Sequence, residues 1–438
     1  LISSLHISIR RSAIFSHYYY FFNKTNVYSN LRMQLKFGLL WLTFDIIIAD
    51  DRLIFLQIIW RHGDRTPARS YPTDIHQESA WPQGWGELTE LGMKQQYALG
   101  RLIRERYIVG DIPFLSSTYK AKEIYIRSTD VNRTLISAMA NMAGMYPDGV
   151  PGTDYPRTKN GTWPSHWTPV PVHTVEFETD HIGNAFAICP RVDQLNDYIR
   201  ASKHYQKYVI DNEAFFKFLS NKTGMQIDLT NIAIINDVHT VEKIHKMTQP
   251  DWMTDEVAAR ILNLTQVSNK FTLGISKPYV PEMIKLRGGS LLKTIIDKMI
   301  MKIKCLSDRQ NADCRWIRPL KYYAYSAHDT TVAALLATFG DVEQVVKGGL
   351  PRYTASVAIE LWNRTDIGLA VKILFHSASS HHKYHAITRF TKGCPPNNDF
   401  CPLNQFVRRS KRFVPNDIEY ECKARKNNHT KRTRLIYI

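Results

Sequence analysis

Hydrophobic positions along the chain repeat one arrangement three times: a short apolar run, a polar cluster, and a segment with helical spacing. The first apolar run covers residues 52–60 and contains the stretch LIFLQIIW. A continuous apolar run of this length is typical of a strand buried on both faces, as in a parallel sheet. In residues 88–107 the apolar positions are mostly three or four apart, which predicts an amphipathic helix with Thr89 as its cap.

The second unit begins with a short apolar run at residues 124–126, which predicts a strand. Ser128, Thr129 and Asp130 follow this run and are capping candidates for a helix over about 131–145.

The third unit combines a predicted strand at 322–325 with an Ala/Leu-rich helix that ends at Gly340. His328 and Asp329 lie between the two elements. In open α/β sheets, ligands bind beyond the carboxyl ends of the strands. The polar clusters of the three units are therefore expected to meet in one crevice.

The second and third units are separated by a long stretch of Pro-rich loops and helical segments, which we interpret as an insertion. The fold class expected from this order is α/β, with a mainly parallel central sheet flanked by helices and a smaller helical cap inserted into it. The expected α/β core is discontinuous and comprises residues 50–145 and 286–405, with the cap at 146–285. Residues 406–438 form a basic tail.

The net charge of +17 is concentrated at the two ends of the chain. Residues 1–36 carry basic and no acidic side chains, and the segment from Lys383 onward is also strongly basic. The body between them is nearly neutral, so the charge is interpreted as belonging to solvated ends and nucleic acid is not an expected partner.

Residues 1–49 are interpreted as a leader that consists of an upstream segment and then a signal peptide starting at Met33. Lys36 precedes an apolar run that ends with the small residue Ala49, which is the pattern of a secretory signal. No segment near the C-terminus has the roughly 20 apolar residues that a membrane span requires. The expected location is therefore extracellular or in a lumenal compartment such as the lysosome, without a transmembrane anchor.

Two further features indicate export. N-glycosylation sequons are more frequent than chance predicts, and the candidate sites include Asn160, Asn221, Asn263 and Asn363. The chain also has an even number of cysteines without the CxxC spacing of metal or redox sites: Cys189, Cys305, Cys314, Cys394, Cys401 and Cys422. Disulfides are the simpler interpretation, although spacing alone does not give the pairing.

The polar cluster after the first strand, RHGDR, is suited to a phosphate group. Arg61 and Arg65 offer planar forks that grip phosphate oxygens, and Arg127 precedes a helix whose N-terminal amides also favour an anion. His62 is a candidate nucleophile because a neutral imidazole is available near neutral pH. Asp329 is a candidate general acid that protonates the leaving alkoxide.

The motifs RHGDRTP, YIRSTDVNRTLISA and YSAHDTT together resemble the histidine acid phosphatases, a branch of the histidine phosphatase superfamily. The resemblance extends over roughly residues 53–422. It implies hydrolysis of small phosphate monoesters, with His62 as the phosphohistidine nucleophile and Asp329 as the proton donor. Arg61, Arg65, Arg127 and His328 would bind the phosphate.

The resemblance also bears on cofactors, assembly and cysteine pairing. It implies no metal ion or other cofactor, so the cluster His381, His382 and His385 is interpreted as a solvated loop. Family members often pair, so a homodimer is also considered. Cys189 with Cys422 and Cys394 with Cys401 resemble family disulfides; Cys422 would thus tie the tail back, and Cys305 with Cys314 would close a short local loop.

Asp64 lies within the RHGDR motif and is assigned a structural role, because an anion facing phosphate would be repelled. Two alternatives to the acid phosphatase hypothesis stay open. One is a phytase-like enzyme that acts on inositol phosphates, and the other is a secreted binding protein that keeps the fold without turnover.

Overall fold

A mixed β-sheet with helices on both faces forms the centre of the computed structural model. The structure describes residues 51–425 except 111, 158–161, 347–348 and 379–382. The predicted leader (1–49), Asn160, His381, His382 and the end of the basic tail (426–438) lie outside the described residues.

The sheet has the strand order β3-β2-β4-β1-β5-β6-β7, and β8 also pairs with β6. The strands are β1 (Arg52–Arg61), β2 (Ile124–Ser128), β3 (Val172–His173), β4 (Tyr322–Ala327), β5 (Ser356–Arg364), β6 (Gly368–His376), β7 (His385–Ala386) and β8 (Cys401–Pro402). Strands β3, β2, β4 and β1 are parallel to one another, whereas β1 pairs with β5 in the antiparallel sense, as do all the pairs beyond it.

The α/β fold is thus confirmed, but "mainly parallel" describes only the half of the sheet that contains the three predicted strand-turn-helix units. The physical reason lies in the connections. Strands β5 and β6 are joined by only the three residues between Arg364 and Gly368, and such a short turn permits an antiparallel pair but no parallel crossover.

The helices of the core cover both faces of the sheet, and those of the insertion lie between β3 and β4 in the sequence. They are α1 (Glu90–Arg104), α2 (Asn132–Met145), α3 (Pro190–Arg200), α4 (Lys203–Asp211), α5 (Glu213–Thr223), α6 (Ala233–Ile244), α7 (Asp255–Thr272), α8 (Pro281–Ser307), α9 (Asp329–Phe339), α10 (Val342–Val345), α11 (Leu403–Ser410) and α12 (Ile418–Glu421). Within the described part of the chain, no helix is both long enough and apolar enough to cross a membrane.

Strand β1 is buried on both faces, as its apolar run predicts. Phe55 and Ile59 pack in one cluster with residues of α8 and α9. Leu56, Ile58 and Trp60 point the other way and pack with residues of α1 and α2. This is the alternation of side chains that a strand imposes.

The predicted helix ends are correct in two of the three units. Thr89 caps α1 by accepting a hydrogen bond from the amide of Gly92, and α9 ends at Gly340 in the left-handed conformation (φ 82°). The capping prediction for α2 is wrong: its N-cap is Val131, without a side-chain hydrogen bond. The hydroxyl of Thr129 instead faces the carboxyl edge of the sheet.

The inserted helices have a hydrophobic cluster of their own, which includes Leu219 of α5 and Ile235 of α6. Helix α8 joins the two parts, since Met283 packs in this cluster and Met299 packs in the core. We refer to α3–α7 as the cap. The segment predicted as cap also contains β3, which forms an edge of the central sheet.

Three disulfides link the cysteines in the pairs named from the sequence. Cys189, which precedes α3, is bonded to Cys422 after α12, and this bond holds the end of the described chain against the cap. Cys305 with Cys314 and Cys394 with Cys401 close two short loops in the core.

A buried pair of carboxyl groups joins the cap to the core. Glu242 of α6 and Asp74, from the loop before α1, are 1% and 6% exposed. Gln249 donates a hydrogen bond to Glu242 (2.9 Å), and the hydroxyl of Ser70 donates to Asp74. Burial and the neighbouring Asp74 raise the pKa of Glu242 to about 8, so the pair holds a proton at acidic pH.

The Glu242→Gln substitution should change how stability depends on pH. The folded parent retains a proton on Glu242 that the unfolded chain releases near its ordinary pKa, so this group's contribution to stability is lost as pH rises from about 4.5 to about 8. An amide does not titrate, so its contribution to stability does not change with pH. We therefore expect the free energy of unfolding of the variant, relative to that of the parent, to rise as the pH is raised from about 5 to about 8. Urea unfolding with the disulfides intact measures this difference. The exposed Glu105→Gln should show no such trend, and equal pH slopes for Glu242→Gln and the parent would rule out the assignment.

Candidate active site

The loops that follow β1, β2 and β4 lie side by side at one edge of the sheet. The register pairs Arg61 with Ala327 and Ser128 with Ser326, so the three parallel strands end at the same level. The chain continues in this alignment, since the amide of His62 donates to the carbonyl of Ala327 (2.9 Å). The polar clusters of the three units therefore meet in one place, as the sequence predicts.

The loop after β1 lies directly against the start of α1, and two glycines make this approach feasible. A Cβ atom on Gly63 would be 2.2 Å from the carbonyl oxygen of Gly92, and one on Gly92 would be 2.1 Å from the carbonyl oxygen of Asp64. Any side chain at either position would move the loop that carries His62.

His62 is buried with only 3% of its surface exposed, and its tautomer follows from one contact. Its Nδ1 lies 2.7 Å from the carbonyl oxygen of Gly63. Because a carbonyl oxygen only accepts hydrogen bonds, Nδ1 carries the proton and donates it to this oxygen. The lone pair is then on Nε2, which makes Nε2 the nucleophilic atom of the ring.

His328, the N-cap residue of α9, is buried beside His62, with 5.6 Å between the ring centroids. Its Nε2 lies 3.0 Å from the hydroxyl of Thr129, which in turn contacts the hydroxyl of Thr134 at 2.8 Å. The Thr134 hydroxyl donates to a backbone carbonyl, so it accepts from Thr129, and Thr129 accepts from His328. Nε2 of His328 therefore carries a proton.

Both histidines are neutral in this environment. Burial is the largest cause and lowers the pKa of His62 well below 6.5, with the positive charges of Arg61, Arg133 and Arg65 adding to it. Burial and the same three arginines lower the pKa of His328 to about 3. A neutral His62 keeps its lone pair on the acidic side of pH 6.5.

Arg61 is held in place by three contacts. Its guanidinium forms an ion pair with Asp329 (3.0 Å), donates to the carbonyl of Pro351 (2.8 Å), and lies 4.1 Å from the ring centre of Tyr353. Tyr353 also lies beside His62, with ring centroids 5.8 Å apart. Arg61 and Tyr353 therefore connect Asp329, the candidate general acid, to His62, the candidate nucleophile.

Arg65 faces the cap. Its two terminal nitrogens form a bidentate ion pair with Asp237 of α6, at 2.9 and 2.8 Å. This contact connects the motif after β1 to a helix more than 160 residues away in the sequence, and it leaves Arg65 close enough to both histidines to lower their pKa values.

Arg127 forms an ion pair with the buried carboxylate of Asp180 at 2.6 Å, and its Nε–H has no acceptor among the described residues. Ile124 and Ile126 pack with residues of α1 and α2, so Arg127 projects from the opposite face of β2, which is the face from which Arg61 projects on β1.

Arg133 is a further arginine of the second unit that lies near the histidines, and the sequence analysis missed it. It is the second residue of α2 and is partly buried, and one terminal nitrogen donates to the carbonyl of Gly86 (3.3 Å). Burial and the charge of Arg65 lower the pKa of Arg133 to about 10. The signal was present in the sequence, since the first turn of a helix after a parallel strand is a common anion site.

Asp64 has the structural position expected from its place in the motif. Its carboxylate is fully buried and accepts hydrogen bonds from Thr89 (2.5 Å) and His245 (2.7 Å). His245 follows α6 of the cap and packs edge-on against Trp81. Asp237 and His245, which connect the cap to the loop after β1, have no signal in the local sequence.

The site contains more arginine N–H groups than its own carboxylates bind. The Nε–H groups of Arg61, Arg65 and Arg133 have no acceptor among the residues that the structure describes. Three arginines thus converge where Asp329 and Asp237 supply two carboxylates, beside two neutral histidines. Such a set of donors suits an anion with several oxygens, above all a phosphate group. No group of three or more potential metal ligands is present in the described ranges.

Fold and site together define a histidine phosphatase, and comparison with known proteins shows the same class. The model of the histidine phosphatase superfamily (branch 2) matches residues 52–376, and the chain belongs to this family. The sequence-based identification is therefore confirmed.

Similar proteins with established names are acid phosphatases. Lysosomal acid phosphatase of Xenopus laevis is 33% identical over 380 residues, which cover 86% of this chain and 80% of that protein. Human prostatic acid phosphatase is 33% identical over 398 residues, covering 89% and 93% respectively. Among solved structures, a Hafnia alvei phytase in complex with tartrate has a TM-score of 0.60 at 16% identity and covers 86% of this chain and 100% of its own. At that identity the likeness concerns the fold alone.

Proposed function

We propose that the protein is an acid phosphatase that hydrolyses phosphate monoesters through a phosphohistidine intermediate on His62. The observation that carries this proposal is the environment of His62: a buried, neutral imidazole with its lone pair on Nε2, beside three convergent arginines. Nucleophile and anion-binding donors are the two requirements of phosphoryl transfer to a protein side chain.

In the first step, Nε2 of His62 attacks phosphorus, the P–N bond forms and the P–O bond to the leaving alcohol breaks. Asp329 protonates the departing oxygen, so that an alcohol leaves instead of an alkoxide. In the second step a water molecule attacks phosphorus and the P–N bond breaks. Asp329 accepts a proton from this water, inorganic phosphate is released, and both side chains return to their initial states.

The phosphate oxygens are bound by Arg61, Arg65 and Arg133. His328 would join them as a neutral donor when its Nε2–H turns from the hydroxyl of Thr129 to a phosphate oxygen. We place Arg133 in the role that the sequence analysis gave to Arg127, because Arg133 interacts with both histidines whereas Arg127 is paired with Asp180. Charge-assisted hydrogen bonds from several arginines stabilise the charge that accumulates on phosphorus during transfer.

A secreted or lumenal location such as the lysosome agrees with the three disulfides and with the exposure of Asn221, Asn263 and Asn363. It also agrees with the names of the relatives, which are lysosomal and prostatic acid phosphatases. The substrates would be small phosphomonoesters. No specific observation favours the phytase-like or binding-protein alternatives, and the homodimer stays a prediction.

The roles of the nucleophile and the general acid can be separated by the leaving group. His62→Ala should abolish turnover of all esters. Asp329→Asn should reduce kcat by about 10²-fold or more on an alkyl ester such as glycerol phosphate, and far less on p-nitrophenyl phosphate, whose leaving group needs little protonation. Steady-state kinetics on both esters at acidic pH measure this. Residual activity in folded His62→Ala, or equal losses on both esters in Asp329→Asn, would exclude these assignments.

Arg133→Ala and Arg127→Ala form a matched pair that tests which arginine binds phosphate. Loss of a charge-assisted contact to the transferred group should lower kcat/KM of Arg133→Ala by about 10- to 100-fold. Arg127→Ala leaves Asp180 unpaired and should mainly lower thermal stability. Kinetics and melting temperatures of both variants decide the question, and the reverse pattern would restore Arg127 to the site.

The pH profile provides an independent test of the environment of His62. The nucleophile is active when neutral, so kcat/KM falls as pH drops through its pKa. Arg133→Gln removes one of the charges that lower this pKa and should shift the acidic limb to higher pH. Because parent and variant are assayed with the same ester, ionisation of the substrate is common to both. An unchanged acidic limb would show that Arg133 does not act on the nucleophile.

A further inference from the structure

A cavity that combines apolar walls with a buried arginine lies away from the candidate active site. It has a volume of about 400 Å³ and is enclosed by the segment before α3 together with parts of α3, α7 and α8. Phe186, Ile188 and Phe271 supply apolar walls, and Arg200 lies at the rim. None of the residues placed at the phosphate site lines this cavity.

Arg287 of α8 lines the cavity and is 7% exposed. One terminal nitrogen donates to the carbonyl of Ala185 (2.9 Å), and the ring of Phe186 lies 4.4 Å from the guanidinium carbon. Its Nε–H has no acceptor among the described residues, and its guanidinium forms no ion pair with any of their carboxylates. Arg287 is therefore a buried cation in the lining of the cavity without a carboxylate partner among the described residues.

Four other buried or partly buried arginines are paired with carboxylates, whereas Arg133 and Arg318 donate to backbone carbonyls. The pairs are Arg65 with Asp237, Arg106 with Glu360, Arg127 with Asp180, and Arg191 with Glu282. The acidic residue that acts on Arg287 is Asp193, which is exposed on α3 and makes no direct contact with it. Burial lowers the pKa of Arg287 to about 10, so it stays charged at acidic and neutral pH. A buried charge without a partner is costly, and an anion in the cavity would offset that cost.

From this geometry we infer that the cavity is a second ligand site, which binds a small organic anion through Arg287. A carboxylate or phosphate head would accept hydrogen bonds from the guanidinium, and an apolar body would pack against Phe186 and Phe271. The cavity volume falls within the usual range for small-molecule sites. Arg200 adds positive charge at the rim and Asp193 opposes it, which leaves the lining with one net positive charge and favours a singly charged head.

The test uses the full chain and two probes, phenylacetate and phenylphosphonate, in isothermal titration calorimetry. The two probes separate a carboxylate head from a phosphate-like one. Titrations in an Arg61→Ala background weaken phosphonate binding at the candidate active site, and only binding that also responds to Arg287→Gln is assigned to the cavity. We expect at least one probe to bind there with a Kd below about 1 mM and Arg287→Gln to weaken it at least 10-fold.

Two further variants keep the result unambiguous. Ile188→Trp fills the mouth of the cavity from an exposed position without altering Arg287, and it should also weaken binding. Arg191→Gln, which removes a paired arginine outside the cavity, should leave binding unchanged. The inference is overturned if neither probe binds in this range, or if Arg287→Gln and Ile188→Trp both bind as the parent does.

Discussion

The buried carboxylate of Asp64 is the interaction on which the geometry of the site depends. It accepts hydrogen bonds from Thr89, which caps α1, and from His245 of the cap, so three parts of the molecule meet at one side chain. The same Thr89 hydroxyl accepts from the amide of Gly92, against which the loop after β1 is packed. His62 and Arg65 lie on this loop and Arg61 directly precedes it, so the contacts of the Asp64 carboxylate help to position all three.

The cap is connected to the catalytic loop by more than this contact. Helix α6 contributes Asp237 to Arg65 and Glu242 to Asp74, and His245 follows directly after it. A movement of the cap would therefore act on the orientation of Arg65 and on the loop of His62 together. Two of these contacts bury charge or a shared proton, so their strength depends on protonation as well as on packing. The orientation of the cap is therefore coupled to the protonation of the buried side chains between the cap and the core.

Much of this architecture is predictable from the sequence, because three units each combine a local pattern with a charged cluster. The caps at Thr89 and Gly340, the convergence of the three clusters and the pairing of the cysteines needed no long-range information beyond the family resemblance. The antiparallel half of the sheet was not predicted, since β5 and β6 carry no charged motif that draws attention to them. Asp237 and His245 contact residues more than 160 positions away, and no local pattern indicates such partners.

Arg127 and Arg133 are difficult to distinguish as phosphate-binding candidates from the sequence. Both follow the same apolar run and both precede or begin α2, so composition and spacing do not distinguish them. They differ in their contacts, since Arg127 on β2 is paired with Asp180, whereas Arg133 in the first turn of α2 donates to the carbonyl of Gly86. Whether a given arginine reaches the anion depends on where β2 ends, and element ends are the part of a prediction that sequence patterns determine least well.

The distribution of charge among the site residues also bears on how highly charged an anion the site suits. Asp237 neutralises part of the charge of Arg65, and Asp329 does the same for Arg61, while no carboxylate of the described residues is in direct contact with Arg133. The net positive charge that remains is small and is concentrated beside His62 and His328. If the site binds phosphate as proposed, this charge suits one dianionic group better than a densely charged polyanion, because each further phosphate would require cations of its own. The fold shared with phytases thus leaves the choice of substrate to the few charged side chains that the cap and the loops supply.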